Sequence, residues 1–278
     1  MLVLKSINEF LEYRESLSKE TKIGFVPTMG FLHEGHLSLV RASKDSNDVT
    51  IVSIFVNPKQ FGENEDFRFY PRDIDKDLGF LKGLNVEAVF IPEADDIYPA
   101  NFKTYVEVSE YGTKYCGKSR PTHFKGVSTI VCKLLNIVRP QLMYLGEKDF
   151  QQAYILEQMV RDLTILTKIV KVETSREIDG LAMSSRNVYL NDEQRKDALC
   201  LYEALVLAKD YFAKGDTDIK DIEVNMKSVI KTKGGLIDYI TFINENTFEE
   251  EEKLTVDTRI LIAVKIGNTR LIDNMRVC

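Results

Sequence analysis

Residues 49–56 narrow what this chain can become more than any other stretch: a mostly β-branched run with no regular alternation of polar and apolar positions. Such a strand has to be covered on both faces, as the inner strands of a parallel sheet are. The surrounding pattern agrees. Strand-like runs at 22–26, 49–56, 86–91, 141–145 and 166–172 alternate with helix-like runs at 37–45, around Ile74, Leu78 and Leu81, at 127–138, where Pro140 stops the helix, and at 150–163. This alternation predicts an α/β chain with a doubly wound parallel sheet. A helix opens the chain, with Ser6-Ile7-Asn8-Glu9 as a capping box, and a further short strand is expected over 105–109.

In such sheets ligands sit at the C-terminal ends of the strands, near the point where strand order reverses. Three polar turns fall at strand ends here: 27–36, 57–62 and 146–149. The first is the most informative. Pro27-Thr28-Met29-Gly30-Phe31-Leu32-His33-Glu34-Gly35-His36 joins a strand to a helix, and the helix N-terminus is expected to aim free N–H groups at an anion such as phosphate. His33 and His36, three residues apart, share one face. As imidazolium donors they are expected to stabilise charge building on a phosphoryl group. The alternative is that both merely cap and pack the turn. Gly30 and Gly35 have Walker A spacing, but His36-Leu37 stands where Lys-Ser/Thr is required, and a zinc helix needs histidines four apart.

After Glu173 the pattern changes. A polar segment at 179–187 precedes a helix beginning at 191–194 and a second helix carrying Ile222, Met226, Val229 and Ile230. Strands follow near 237–244 and 259–266, with Gly267-Asn268 turning the second into 269–273. The expected division is 1–174, a nucleotide-binding domain, and 175–278, a smaller α+β domain. The acidic run Glu249 to Glu252 reads as a solvated loop. The net charge of −6 argues against broad nucleic-acid binding, and no run of eighteen apolar residues predicts a membrane span. Cys116, Cys132, Cys200 and Cys278 are scattered and read as reduced thiols of a cytoplasmic protein.

Several motifs together closely resemble the pantoate–β-alanine ligase family. They are Pro27-Thr28-Met29-Gly30 with His33 and His36; Phe55-Val56-Asn57-Pro58 with Gln60-Phe61; Tyr70-Pro71-Arg72; Arg120-Pro121-Thr122-His123-Phe124; Gly146-Glu147-Lys148-Asp149 with Gln151-Gln152; and Met183-Ser184-Ser185-Arg186-Asn187. The resemblance implies a Rossmann-like fold of the nucleotidyltransferase superfamily, a lid-like C-terminal domain and a homodimer. It implies that ATP, with Mg2+, drives condensation of pantoate and β-alanine through a pantoyl adenylate, releasing AMP and pyrophosphate. By the same resemblance Met29, Gly30, His33, His36, Gly146, Lys148, Asp149, Ser175, Met183, Ser184, Ser185 and Arg186 would hold ATP, Ser175 through its backbone. Pro27, Thr28, Met29, Asn57, Gln60, Arg120 and Gln152 would bind the other substrates. His36, with His33, Lys148 and Arg186, would carry the chemistry. Asp77, in the segment Asp73-Ile74-Asp75-Lys76-Asp77, would meet magnesium.

Other readings stay open on the residues alone. Lys148-Asp149 also reads as an exposed ion pair, Ser184-Ser185 as a cap or turn, and Arg120 with His123 as a solvated loop. A nucleotidylyltransferase would use a similar histidine turn but leave the nucleotide on its product. A nucleotide sensor would bind ATP and make no AMP.

Overall fold

The computed structural model describes residues 1–63 and 65–278. The strands are β1 (Leu2–Leu4), β2 (Ile23–Thr28), β3 (Val49–Ile54), β4 (Ala88–Phe90), β5 (Leu142–Gly146), β6 (Lys168–Val172), β7 (Leu236–Asn244), β8 (Thr258–Ile266) and β9 (Thr269–Arg276). The helices are α1 (Ile7–Ser16), α2 (Glu34–Ser46), α3 (Ile74–Gly83), α4 (Ala94–Ile97), α5 (Cys116–Ser119), α6 (His123–Val138), α7 (Phe150–Asp162), α8 (Asp192–Asp197), α9 (Leu199–Ala213) and α10 (Ile219–Thr232). Two compact units result, Met1–Glu173 and Thr174–Cys278.

In the first unit six parallel strands lie in the order β1-β4-β3-β2-β5-β6. Alternate residues of each strand point to opposite faces, so the sheet feeds two cores. Phe25, Ile51, Phe90 and Met143 pack with Phe10 of α1, Val127 and Leu134 of α6 and Leu156 of α7. Val26, Val52, Val89 and Tyr144 pack with Leu39 and Val40 of α2 and Leu81 of α3. This is why β3 carries no polar alternation: all six of its residues are buried.

Strand order reverses between β2 and β5, the switch point of a doubly wound sheet. The two strands pair only at Gly24↔Leu142 and Phe25↔Met143, whereas β2 pairs with β3 along six residues. Pairing on the β5 side thus ends before Pro27, which has no N–H to donate. The C-terminal ends of β2 and β5 are no longer bonded to each other where the histidine turn and the 146–149 turn begin.

Two local expectations change. Residues 105–109 form no strand; the Val106 N–H donates to Thr129 Oγ1 on α6 at 3.0 Å, so a side chain replaces the ladder. Leu2–Leu4, which the sequence reading did not mark as a strand, pairs with β4 at the sheet edge. The second unit, taken by itself, is the antiparallel sheet β7-β8-β9 with α9 and α10 sharing its core of Ala204, Leu205, Ile222, Met226, Ile260 and Ile262.

Candidate active site

The histidine turn is pinned at almost every backbone N–H by its own chain. Thr28 Oγ1 donates to the Ser53 carbonyl (2.8 Å) and accepts from Gly30 N (3.2 Å). Phe31 N and Leu32 N donate to the two carboxylate oxygens of Asp77, at 2.8 and 2.7 Å. His33 is the N-cap of α2. Its Nδ1 accepts from Gly35 N at 3.2 Å, and His36 Nδ1 accepts from His33 N at 3.3 Å. Together they form a reciprocal capping box built from two imidazoles instead of the usual Ser/Thr and Glu/Gln.

This arrangement settles the tautomer. A ring nitrogen that accepts from a backbone N–H carries no proton, so the proton of each neutral ring sits on Nε2. Burial, with His33 and Lys148 beside it, pushes His36 down to about 3; burial and Lys148 push His33 down to about 4. Both rings are therefore neutral at neutral pH, which corrects the expectation of imidazolium donors. The capping alternative is right about Nδ1 and leaves Nε2–H as a donor on the other side of each ring. The free N–H groups expected at the helix start are also largely used: Gly35 N is capped, while His36 N and Leu37 N bond to the His33 carbonyl. A phosphate at this turn would meet side-chain donors.

Asp77, expected at magnesium, is buried in α3 with both oxygens on the turn's backbone. Among the described residues no group of three or more His, Cys, Asp or Glu is placed to hold a metal ion. Those residues do not make a protein metal cage.

The second polar turn brings together three residues expected to bind substrate. Asn57 is buried; its Nδ2 donates to Gln60 Oε1 and to the Gly126 carbonyl, both at 3.1 Å, and its Oδ1 accepts from Tyr98 OH at 2.9 Å. Gln60 Nε2 reaches Met29 Sδ at 3.0 Å, linking this turn to the histidine turn. Arg120 donates from Nε to Glu65 (2.7 Å) and from Nη2 to the Gln60 carbonyl (3.3 Å), so it holds Gln60 through the backbone. His123 Nδ1 lies 2.9 Å from the same carbonyl. Arg120 and His123 are thus structural to the Gln60 turn, not a solvated loop. Sequence reading assigned no site role to Tyr98, Glu65 or Gly126; only spatial proximity marks them.

At the β5 end Lys148 and Asp149 are 3.8 Å apart, a long ion pair on a short 3-10 turn. Lys148 still acts on both histidines electrostatically. Gln152 is half-buried on α7. Its neighbour Gln151 is buried and staples the loop before α6: Nε2 donates to the Tyr111 and Lys114 carbonyls (2.9 and 2.8 Å), and Oε1 accepts from Cys116 N (3.2 Å). In the second unit Ser184 caps a 3-10 turn over Ser185–Tyr189 by accepting from Arg186 N, and the Ser175 carbonyl accepts from Met183 N at 3.0 Å.

Two cores on a parallel sheet, a switch point, and polar turns of mixed histidine, lysine and carboxamide character define a doubly wound α/β protein with its candidate site at the strand ends. The model of the Pantoate-beta-alanine ligase family matches residues 2–276, and the chain belongs to that family, an enzyme family of the ligase class. It is 50% identical over 276 residues to the pantothenate synthetase of Thermosipho africanus, covering 99% of each chain. It is 52% identical over 279 residues to that of Caldicellulosiruptor bescii, covering 100% of this chain and 99% of the other. Among solved structures, pantothenate synthetase from Thermus thermophilus superposes with a TM-score of 0.95 at 38% identity, covering 100% of this chain and 99% of the other. Pantoate-beta-alanine ligase from Francisella tularensis, complexed with beta-gamma ATP and beta-alanine, gives 0.85 at 40% identity, covering 100% and 98%.

Proposed function

We propose that this chain condenses pantoate with β-alanine, using ATP and passing through a pantoyl adenylate, to give pantothenate, AMP and pyrophosphate. The observation that carries the reading is the imidazole capping box at the switch point, beside Lys148, in a chain of this family. A carboxylate is inert to amines, because its carbon carries no leaving group. Transfer of AMP onto a pantoate carboxylate oxygen, with loss of pyrophosphate, creates one. Catalysis of that step is positioning plus charge stabilisation. The Nε2–H groups of His33 and His36 are neutral, preorganised donors, and Lys148 adds a point charge. Neutral donors already fixed by the capping box need little reorganisation as charge develops. The amine of β-alanine then attacks the acyl carbon, and AMP departs with the former carboxylate oxygen.

Residue roles follow the same reading. Met29, Gly30, His33, His36, Gly146, Lys148 and Asp149 line the nucleotide, with Ser175, Met183, Ser184, Ser185 and Arg186 as further contacts. Pro27, Thr28, Met29, Asn57, Gln60 and Gln152 bind pantoate or β-alanine; the carboxamides bond hydroxyl and carboxylate groups without imposing a charge. Mg2+ is proposed to arrive on the ATP phosphates, as it does where proteins offer no dedicated cage, and to neutralise their charge. A homodimer and a cytoplasmic location belong to the same proposal, on the family resemblance.

Isotopes test the order of events. Labelled pyrophosphate should exchange into ATP with pantoate present and β-alanine absent, and heavy oxygen from the pantoate carboxylate should appear in AMP. Release of ADP with label in phosphate, or exchange that requires β-alanine, would overturn the adenylate path. Absence of AMP altogether would remove the ligase reading.

A further inference from the structure

Gly30 and Phe31 are consecutive residues in the left-handed region, with φ of +82° and +52°. For Phe31 that conformation is strained, of the order of 1–2 kcal/mol. Backbone in this shape turns successive N–H groups to one side and makes a small anion-binding concavity. Here the concavity is already filled. The Asp77 carboxylate, buried in the first turns of α3, takes Phe31 N on one oxygen and Leu32 N on the other. The fit is close: a Cβ on Gly30 would lie 3.1 Å from Asp77 Oδ2 and 2.9 Å from Ile54 Cγ2. The residue after Leu32 is His33, whose backbone N–H donates to His36 Nδ1. A chain of bonds therefore runs from Asp77 through two N–H groups to the imidazole capping box.

We propose that Asp77 is a positioning residue of the ligase reaction, holding the strained Gly30-Phe31 turn in the one shape that aims the His33 and His36 Nε2–H groups at the nucleotide. It touches neither substrate nor the reacting phosphorus. Its carboxylate answers two convergent N–H donors; burial raises its pKa, and the Leu32 and Phe31 N–H groups work against that rise. The facing charged groups are Asp73, which opposes ionisation, and Lys76, which favours it. A neutral amide of the same shape offers one acceptor and sets an NH2 against the other N–H.

The inference rests on the proposed ligase reaction, so its test needs one readout independent of turnover. The full-length D77N protein is compared with wild type by amide hydrogen exchange and by AMP formation. Exchange in 30–36 should speed up at least about tenfold while β7–β9 stay unchanged, and kcat should fall about ten- to a hundredfold, the scale of a misplaced catalytic group, with KM for ATP changing much less. In the D77N/H36Q double variant the losses should fail to multiply, because Asp77 acts through the histidine turn. Unchanged exchange over 30–36, fully multiplicative losses, or restoration of D77N turnover by raised Mg2+ would each overturn the positioning role; the last would return Asp77 to the metal. If wild type makes no AMP, the ligase reading fails while the exchange result still decides the clamp.

Discussion

His36 does two jobs with one ring. Nδ1 completes a helix cap, and in the proposed reaction Nε2–H is the donor to the nucleotide. Glutamine is the usual residue at that capping position, because its side-chain oxygen reaches the same N–H. His36→Gln is therefore expected to keep the fold and to lose about a hundred- to a thousandfold in turnover, the cost of one preorganised donor. AMP production measured beside a thermal melt checks this, and near-wild-type turnover would remove His36 from the mechanism. The same variant separates the two rings' effect on stability. Both folded pKa values lie below the ordinary 6.5, so the unfolded chain takes up protons first as pH falls. Their contribution to stability is complete above pH 6.5 and is lost as pH drops towards about 4 for His33 and about 3 for His36, at up to about 1.4 kcal/mol per pH unit for each. Denaturant titrations of H36Q between pH 7 and 4 should show a shallower loss than wild type. An unchanged slope would mean that His36 is not buried as a neutral ring.

At the scale of elements, α6 comes very close to the Gln60 turn and holds it in place. A Cβ at Gly126 would stand 2.2 Å from the Lys59 carbonyl oxygen and 2.6 Å from Gln60 N, both backbone atoms that have little freedom to yield. Alanine favours a helix over glycine by roughly 1 kcal/mol, but here the clash outweighs it. Gly126→Ala should destabilise the protein by about 1–3 kcal/mol, the range for overpacking. It should also raise KM for pantoate, because α6 carries His123 and the Gly126 carbonyl that fix Gln60 and Asn57. Urea melts and steady-state kinetics measure the two effects. A stabilised variant with unchanged KM would show that the contact relaxes without cost and that α6 does not set the turn.

At the scale of the molecule, each unit carries its own core, and the second adds an ion pair on a buried carboxylate. In the second unit Arg176 makes a bidentate pair with the buried Asp273, at 2.7 and 3.0 Å, and also donates to the Gly180 and Asn274 carbonyls. The pair ties the segment leading to Met183–Arg186 to strand β9. Removing one partner of a fully buried pair costs roughly 3–5 kcal/mol; Arg176 is partly exposed, so Asp273→Asn should cost about 2 kcal/mol. Hydrogen exchange should accelerate over 176–182 and in β8 and β9, and leave β2, β3 and β5 as they were. Acceleration in the first unit's strands would show that the two units do not unfold separately.

The sequence by itself determined the parallel sheet, because runs such as 49–56 admit no other burial, and it marked the three strand ends at which His33, Gln60 and Lys148 stand. Those signals are local: period, β-branching, and polar residues after a strand. It also marked the second unit's helices and hairpin, whose apolar spacing is regular. The tertiary structure decided what each polar group is used for. Asp77 and Phe31 are 46 positions apart, and no period or motif says that one carboxylate answers two N–H groups of a distant turn. The neutral state of the histidines follows from burial and from Lys148, which lies on another strand end. The absence of a strand at 105–109 was decided by Thr129, whose hydroxyl took the N–H a ladder would have used. Local chemistry is written in neighbouring residues; desolvation and partnership depend on which distant segments the sheet brings side by side.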